Sequence, residues 1–325
     1  MPTGSTPLSE NELLPPRYLV ALQPGKPPVN PVERPPPGSF KAKVTQNKRM
    51  TAPGHWQDVR HIILESHDPG MTYEPGDIAV LWPENPKEEV DSFLDILHWT
   101  EIADTPLSIS NMITGNPVSS RFDPPTLRTL ATSYLDICSV PRRSFFEMLK
   151  HFSSDEQHVE KFAEFTTAEG QEELWDYTTR PRRTIIEVLA DFWSSIKIPL
   201  EYVLDVFPAM KPRRFSIASS LSVHPHEIHL CVAIVKYKTN LKRPRYGVCS
   251  RWLAVLPEGV FNMTWELISG TEISVGLVQG GMRVPDQQIP CIFVGPGTGI
   301  APMRAMIEQR VGENARGTII AIQVK

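Results

Sequence analysis

The chain has 325 residues, with 33 lysines and arginines against 37 aspartates and glutamates, which gives a net charge of −4 with histidine neutral. This slight acidity argues against a dedicated nucleic-acid binder, and no apolar stretch approaches the roughly 18 residues of a membrane-spanning helix. The four cysteines, Cys138, Cys231, Cys249 and Cys291, form no CxxC pair. Their spacing argues against a zinc site and a disulfide framework, and it fits a reducing compartment.

The first segment is rich in proline. Eleven of the 32 prolines fall within residues 1–39, and Pro35 to Pro37 are consecutive. This composition favours extended, solvated backbone that buries little surface. We therefore expect residues 1–39 to be a proline-rich linker or tail, either without a role of its own or as a tether to an upstream domain.

The next three segments alternate between strand and helix patterns. Short apolar runs separated by Pro/Gly turns predict strands over residues 40–83, and strands return over residues 213–278. Residues 86–207 read as helices with several Ser/Thr–Glu capping boxes. The candidate boxes are Ser144 with Glu147, Ser153 with Glu156, Thr166 with Glu169, and Thr184 with Glu187. The order predicts an antiparallel barrel, residues 40–285, with a helical insert at about 86–207.

The last segment has another pattern. An apolar strand, Ile289–Val294, precedes a glycine turn, a helix at Ala301–Arg310 and a second apolar strand at Thr318–Val324. This is one strand–helix–strand unit of a parallel sheet. Two parallel strands are not a domain, so residues 286–325 are expected to be the start of an α/β nucleotide-binding domain.

One chemical motif is KPRRFSIASS, residues 211–220. It combines three basic residues, an aromatic residue and small hydroxyl residues on an expected strand. Arginine pairs with phosphate through two parallel hydrogen bonds, and Phe215 could stack on a planar ring. Taken alone, the run also fits a strand with a solvated basic start.

A second motif is YGVCSRWL, residues 246–253. Gly247 permits close approach of the backbone, and Cys249 and Ser250 would open a short helix. The free N–H groups at such a helix start suit a phosphate. Taken alone, the motif also fits an ordinary helix start with a serine cap.

A third motif is VGPGTGIAPMR, residues 294–304. Three glycines follow a buried strand and precede a helix. This is the context in which a glycine turn binds the pyrophosphate of a dinucleotide.

The three motifs together resemble the flavin and nicotinamide end of the diflavin reductase family, which includes cytochrome P450 reductase and the reductase domains of nitric oxide synthases. PGDIAVLWPEN, residues 75–85, fits the same family. RPRRTIIEVL, residues 180–189, and the use of Phe215 with Cys249 resemble one branch, the cytosolic NADPH-dependent reductases of iron–sulfur cluster assembly.

The resemblance implies a β + α fold: an antiparallel FAD-binding barrel of the ferredoxin-reductase type with an inserted helical connecting domain. Ser216 would lie by flavin N5 during hydride transfer, as the catalytic residue, and Phe215 would stack on the isoalloxazine. The residues implied to hold or line FAD are Arg182, Arg213, Phe215, Ser216, Cys231, Val232, Ala233, Gly247, Val248, Cys249 and Ser250. Those implied to face the NADPH pyrophosphate are Gly295, Gly297, Thr298 and Gly299.

The resemblance also implies partners and a location. FMN would sit in an upstream domain that residues 1–325 do not contain, and the nicotinamide domain is incomplete. Hydride would pass from NADPH to FAD, and electrons would leave through FMN to a protein acceptor, an iron–sulfur assembly protein, in the cytoplasm without nucleic acid or membrane. The alternative is a truncated interaction module that binds FAD weakly or not at all.

Three other interpretations carry less weight. His224 and His226 would share a strand face, but Glu227 would point the other way, so no metal is expected. Five basic residues between Lys236 and Arg245 fit a solvated hairpin loop, or a docking surface for an acidic partner. An ordinary nucleotide-dependent dehydrogenase would carry its glycine turn near the start of a six-stranded sheet, not at residue 295.

Overall fold

The computed structural model describes residues 13–23, 31–115, 121–257, 260–261, 267–268 and 270–324. The chain divides into two compact units. The helical unit contains residues 1–33 and 87–209, and the barrel unit contains residues 34–86 and 210–325. Among the described residues, no helix combines the length and the apolar character needed to cross a membrane.

The strands follow in chain order. They are β1 (Tyr18–Leu22), β2 (Val32–Glu33), β3 (Ser39–Arg49), β4 (Val59–Glu65), β5 (Ile78–Leu81), β6 (Leu107–Asn111), β7 (Phe122–Asp123), β8 (Arg213–Ser216), β9 (Glu227–Ala233), β10 (Lys236–Tyr237), β11 (Arg245–Tyr246), β12 (Val260–Phe261), β13 (Leu267–Ile268), β14 (Glu272–Val278), β15 (Cys291–Pro296) and β16 (Ile319–Val324).

The helices are α1 (Lys87–Ile96), α2 (Leu127–Ser133), α3 (Arg143–Phe152), α4 (Glu156–Thr166), α5 (Gln171–Leu174), α6 (Ile185–Asp191), α7 (Val203–Val206), α8 (Val248–Val255) and α9 (Ile300–Gly312). Short 3₁₀ turns occupy Thr100–Ile102, Leu200–Tyr202 and Gly297–Gly299, and a π-helical segment occupies Trp175–Thr179.

The helical unit has a core rich in phenylalanine. The rings of Phe93 and Phe207 meet edge to face at 4.9 Å, and those of Phe146 and Phe165 at 5.1 Å. Edge-to-face contacts of this kind add to the free energy gained from burial. The apolar faces of α3 and α6 supply this core, because their large side chains recur at helical spacing.

One expected capping box is confirmed and three are wrong. The Thr184 hydroxyl accepts from the Glu187 N–H, and the Glu187 carboxylate accepts from the Thr184 N–H at 2.8 Å. Helix α3 begins after Arg142, ahead of Ser144, and α4 begins after Asp155, whose carboxylate accepts from two N–H groups of the first turn. Thr166 ends α4 instead of starting a helix, and the chain next turns into α5 after Gly170.

The expectation that residues 1–39 form a linker or tail is wrong in part. Strand β1 pairs antiparallel with β6 in the helical unit, and the Val20 side chain is 3% exposed. Arg17, beside this strand, forms an ion pair with Asp205. The stretch YLVAL has side chains that favour strands. The average composition of residues 1–39 did not indicate this strand, because the neighbouring residues are rich in proline.

The barrel unit is built on a six-stranded antiparallel sheet. Its strand order is β8–β5–β14–β3–β4–β9. A bridge between Ile217 and Leu230, with the Ala218 N–H donating to the His229 carbonyl at 2.8 Å, joins the two edge strands and nearly closes the barrel. Alternate residues point inward, so Val44, Ile62 and Leu64 are fully buried.

The glycine-turn segment belongs to the same unit. Strands β15 and β16 pair in parallel, as the strand–helix–strand pattern predicts, with α9 between them in the chain. Phe293 and Met306 form a small core between strand and helix. The Arg310 side chain, 1% exposed, donates to the carbonyl oxygens of Pro285, Asp286, Gln287 and Ile289 at 2.8–3.2 Å.

Candidate functional site

Strand β8 presents its residues on two faces. Arg213 and Phe215 are half-buried, whereas Arg214 and Ser216 are exposed, as alternation along a strand requires. The Phe215 ring packs against the barrel core. The sequence-predicted pair of Arg213 and Phe215 therefore shares one face, and the Ser216 hydroxyl lies at the end of the strand on the other.

Arg213 acts electrostatically on the start of helix α8. Burial raises the pKa of the Cys249 thiol to about 12, and the positive charge of Arg213 opposes that rise. The thiol is therefore protonated at neutral pH and serves as a small packing group rather than a nucleophile. The charge of Arg213 on β8 is therefore close enough to act electrostatically on Cys249 in the first turn of α8.

The first turn of α8 is held by backbone ties to residue Val235. The Gly247 N–H donates to the Val235 carbonyl at 3.0 Å, and the Val235 N–H donates to the Ser250 hydroxyl at 3.0 Å. The same hydroxyl donates to the Gly247 carbonyl at 3.2 Å. A Cβ atom at Gly247 would lie 2.9 Å from the Val235 Cβ. The glycine is therefore required by this close approach.

These ties leave the helix start open for an anion. Gly247, the residue before α8, has no side chain that could cap the helix. Its first-turn N–H groups lack intrahelical acceptors, and they carry the positive end of the helix dipole. Ser250 was predicted to hold pyrophosphate, but its hydroxyl is engaged within the loop. The backbone N–H groups of Val248 and Cys249, with Arg213, are the donors that suit a phosphate.

Strand β9 carries three predicted lining residues. Val232 is 1% exposed, and its side chain packs in the barrel core. The expectation that it lines a cofactor is therefore wrong for the side chain, because inward and outward residues alternate along the strand. Cys231 and Ala233 are half-buried on the opposite face. Burial raises the pKa of the Cys231 thiol, and the Arg304 charge opposes this rise.

The glycine turn after β15 leads directly into helix α9. A Cβ atom at Gly295 would lie 2.6 Å from the Ile300 Cα, so the strand and the helix pack too closely for a side chain. Gly297 has φ +54°, the left-handed conformation that glycine adopts without strain. Gly299, the residue before α9, has no side chain to cap the helix, and Thr298 is half-buried on the turn. The Ile300 N–H already donates to the Gly297 and Thr298 carbonyls, so the close backbone approach at Gly295 and Gly297 is the feature of this turn that suits a phosphate.

Comparison with known proteins decides the family. Residues 35–252 match the FAD binding domain family. The chain belongs to this family. The start of α8 and the nearby Arg213 would offer the FAD pyrophosphate backbone N–H groups and a guanidinium, so the chemistry of the residues present fits the cofactor.

The chain is also similar to several oxidoreductases. It is 40% identical over 290 residues to NADPH-dependent diflavin oxidoreductase 1 of Bos taurus, covering 86% of this chain and 46% of that protein. The proteins of the same name from Aspergillus fumigatus and Schizosaccharomyces pombe are 36% identical over 351 residues and 39% identical over 275 residues. These two matches cover 95% and 84% of this chain, and 52% and 45% of the relatives. The chain thus spans about half the length of the curated relatives it matches.

Arg182 belongs to the helical unit. It adopts φ 55° in the turn before α6, and its N–H donates to the Thr179 carbonyl at 3.3 Å. A left-handed conformation is uncommon for an arginine. Its predicted contact with FAD stays a prediction.

A charged cluster on the barrel unit escaped sequence analysis. His61, His229 and Arg304 come from β4, β9 and α9, and Glu227 and Glu308 flank them. Their separation of up to 243 positions along the chain left no local signal. Side chains this distant in sequence meet only once the barrel and α9 have packed together.

The predicted geometry of the neighbouring histidines is wrong. His224 and His226 do not share a strand face, because they lie in a turn where His226 has φ 74°. His224, Glu227 and His229 instead bring potential ligand atoms within 4.8 Å of one another. Glu227 therefore points toward this group, not away from it. The Glu227 carboxylate already bonds His229, and the Arg304 cation is adjacent, which opposes a bound metal ion.

The basic hairpin is a two-stranded ribbon of β10 and β11. The Tyr246 ring centroid lies 5.7 Å from the Lys236 ammonium and 5.4 Å from the Arg251 guanidinium. Arg245 is buried, so the expectation of a solvated basic loop is wrong for this residue. The other four basic residues of the run are exposed. Cation–π contacts fix Tyr246 close to the start of α8.

Proposed function

We propose that this chain is the FAD-binding electron-transfer part of an NADPH-dependent diflavin oxidoreductase. The observation that carries the proposal is the open start of α8 with Arg213 beside it on the barrel. FAD, when bound, takes hydride from NADPH and passes electrons onward singly. The protein's task is to hold the cofactors in register.

On the flavin side, the backbone N–H groups of Val248 and Cys249 would bind the pyrophosphate together with Arg213. Phe215, supported from behind by the barrel core, would stack on the isoalloxazine. The exposed Ser216 hydroxyl at the end of β8 would hydrogen-bond at flavin N5. Cys231 and Ala233 would line the cofactor along β9, and Arg182 would contact FAD, as the resemblance to the family implies.

On the nicotinamide side, Gly295, Gly297, Thr298 and Gly299 would hold the NADPH pyrophosphate. The supporting observation is the close strand–helix approach at Gly295, which leaves no room for a side chain between the strand and the start of α9. Residues 286–325 would then be the beginning of a larger NADPH-binding domain. The Thr298 hydroxyl, on the turn itself, would donate to a phosphate oxygen.

The onward path is also part of the proposal. Electrons would pass to FMN in a partner domain and then to a redox protein of iron–sulfur cluster assembly in the cytoplasm. The relatives' name, diflavin oxidoreductase, supports a second flavin. The resemblance of residues 180–189 to the cytosolic branch supports the acceptor and the location.

The test is the visible absorption spectrum of the purified chain, followed by addition of NADPH without oxygen. Flavin bands with about one FAD per chain are expected. A chain that stays colourless with excess FAD would overturn the proposal and leave an interaction module. Bleaching by NADPH would show that residues 289–325 suffice for hydride delivery, whereas a yellow chain that NADPH does not bleach would assign that step to further residues of the whole protein.

A further inference from the structure

Arg304 connects helix α9 to two strands of the barrel. Its Nη1 lies 3.1 Å from Nδ1 of His229 on β9 and 3.4 Å from Nε2 of His61 on β4. Its Nη2 lies 2.7 Å from Oε1 of Glu308, one helical turn further along α9. A single guanidinium thus spans three elements, which its planar fork of donors permits.

The protonation state of His229 follows from these contacts. Arginine only donates hydrogen bonds, so Nδ1 of His229 must accept. The ring proton of the neutral imidazole is then on Nε2, which donates to Oε2 of Glu227 at 2.7 Å. His229 is 2% exposed. A second proton on Nδ1 would place two donors and two positive charges 3.1 Å apart.

The position of Arg304 gives these contacts a consequence for function. Helix α9 begins directly after the glycine turn, and β9 continues from His229 to Cys231 and Ala233. Glu308 adds a second tie, because the Ser220 N–H donates to its Oε2 at 3.2 Å. The proposed NADPH turn and the proposed FAD strand are therefore joined by side chains of one helical face.

We propose that Arg304 is a positioning residue that holds the glycine turn in register with strand β9, and that it does so only while His229 and His61 are neutral. The value of this register for hydride transfer rests on the proposed function above. The contact itself does not, since all of its atoms belong to this chain.

The local charges set the direction of the pH dependence. Burial lowers the pKa of His229 to about 4, and burial with the Arg304 charge lowers that of His61. The other charged or titratable groups near this cluster belong to β3, the loop before β9, strand β9 itself, α9 and the segment before β5. They are Lys48, His224, Glu227, Cys231, Glu308 and Tyr73.

Because the folded-state pKa of His229 lies below the ordinary 6.5, the unfolded chain binds its proton first as the pH falls. The contribution of the neutral ring is complete above about pH 6.5. It is lost as the pH falls toward about 4. The hold of Arg304 on α9 should weaken over the same interval.

The experiment compares Arg304→Met with Arg143→Met. Arg143 forms a matched pair with Glu147, at 3.1 Å and four residues apart on α3, so it controls for loss of an exposed arginine. Ring-nitrogen NMR would follow the titration of His229, and hydrogen exchange would follow the amides of residues 295–306. Both use this chain without cofactor.

Arg304→Met is expected to raise the pKa of His229 and to speed amide exchange across residues 295–306 by about tenfold or more, because a charge-assisted contact is lost. Arg143→Met should change neither. In the unchanged chain, acidification from pH 7.5 to 5 should speed the same exchange beyond its intrinsic pH dependence. This acid effect should be smaller in Arg304→Met.

An unchanged His229 titration together with unchanged exchange would overturn the inference. If Arg304→Met fails to fold, Arg304→Lys keeps the charge but donates to one imidazole at a time, and it should give intermediate exchange. Exchange like that of the unchanged chain would also count against the proposal. These measurements remain decisive if FAD does not bind. If it does, Arg304→Met should slow FAD reduction at saturating NADPH while FAD content stays the same.

Discussion

Helices α8 and α9 both follow a glycine and both begin without a capping side chain, but their surroundings differ. At α8 the turn is tied to Val235 by backbone hydrogen bonds and the Ser250 hydroxyl, and Arg213 supplies a cation from a neighbouring strand. At α9 the turn depends on glycine geometry, with strand and helix in direct contact at Gly295. The nearest arginine on that helix, Arg304, is directed to the barrel.

This difference shows two ways to make a phosphate site from a helix start. In the antiparallel barrel, the loop before α8 has to be fixed by hydrogen bonds, and a neighbouring strand provides charge. In the parallel strand–helix–strand unit, the glycine turn from strand to helix itself directs the N-terminus of the helix toward a phosphate. Small residues on the turn are then enough to form the site. The α8 site should therefore be most sensitive to the loss of a side chain such as that of Arg213. The α9 site should be most sensitive to the addition of a side chain at a glycine of the turn.

The largest effect is expected from Gly295→Ala. The new Cβ would lie 2.6 Å from the Ile300 Cα, so the backbone must move, at a cost of about 3 kcal/mol in the free energy of unfolding. Urea denaturation would measure it. Gly281→Ala is the control, because its Cβ would meet nothing within 4 Å. Equal stability of the two variants would show that the turn is not tightly packed.

Next comes Arg213→Ala, which removes the cation beside α8. FAD affinity should fall about 10- to 150-fold, because a charge-assisted hydrogen bond contributes about 1.5–3 kcal/mol. Titration of the apoprotein with FAD, followed by absorbance, would measure the loss. Arg214→Ala removes the same charge from the exposed face of the same strand, and it should leave the affinity within about twofold. An equal loss of FAD affinity in both variants would show that the affinity depends on the total positive charge of the strand and not on the position of Arg213.

A smaller effect is expected from Gly247→Ala. Its Cβ would lie 2.9 Å from the Val235 Cβ, which moves only together with its backbone, and 3.0 Å from the Ser250 Oγ, which can rotate away. Stability should fall by about 1–2 kcal/mol, and FAD affinity should fall with it because the Ser250 tie is displaced. Calorimetry with and without FAD would separate the two. FAD affinity equal to that of the unchanged chain would mean that the tie does not position the helix start.

The smallest effect is expected from Gly297→Ala. Nothing lies within 4 Å of its Cβ position, so the cost comes from the left-handed φ alone, about 1 kcal/mol. Gly299→Ala has an ordinary φ and ordinary contacts at 3.5 Å, and it should be neutral or slightly stabilising. Thermal unfolding of the two variants side by side would measure the difference. A larger loss of stability in Gly299→Ala than in Gly297→Ala would show that Gly299, and not Gly297, is the residue of the turn that requires glycine.

The sequence predicted those features that depend on local pattern. Turn residues and alternation gave the barrel strands, and helical periodicity gave the insert. The strand–glycine–helix order gave the last unit. Strand β1 was missed because the prolines on either side of it dominate the composition of residues 1–39. The strand itself, YLVAL, has no proline and pairs with β6. Three of four capping boxes were wrong because hydroxyl and glutamate residues at that spacing are common within helices as well as before them.

The local structure around the proposed site was predicted where a motif is contiguous. Arg213 lies on a strand, Gly247 precedes a helix and Gly295 lies near the end of a strand before a glycine turn, as their motifs predict, and their contacts with cofactors stay predictions. Val232 was predicted on the wrong face because the apolar run of β9 conceals which alternate residues point inward, and only the closed barrel decides it. Arg304 was missed because its partners are 75 and 243 positions away. Contacts of such length arise from tertiary packing, which no local pattern contains.

The buried Arg310 has a consequence for proteolysis. Its guanidinium donates to four carbonyl groups of the segment that connects the barrel to the glycine turn, Pro285, Asp286, Gln287 and Ile289. A protease must bind an extended, freely accessible backbone, and these carbonyls are already engaged. Arg310→Lys can serve fewer of them, since one ammonium replaces a planar fork. Digestion with a protease of broad specificity should then cut this connection first, and release the glycine-turn segment from an intact barrel.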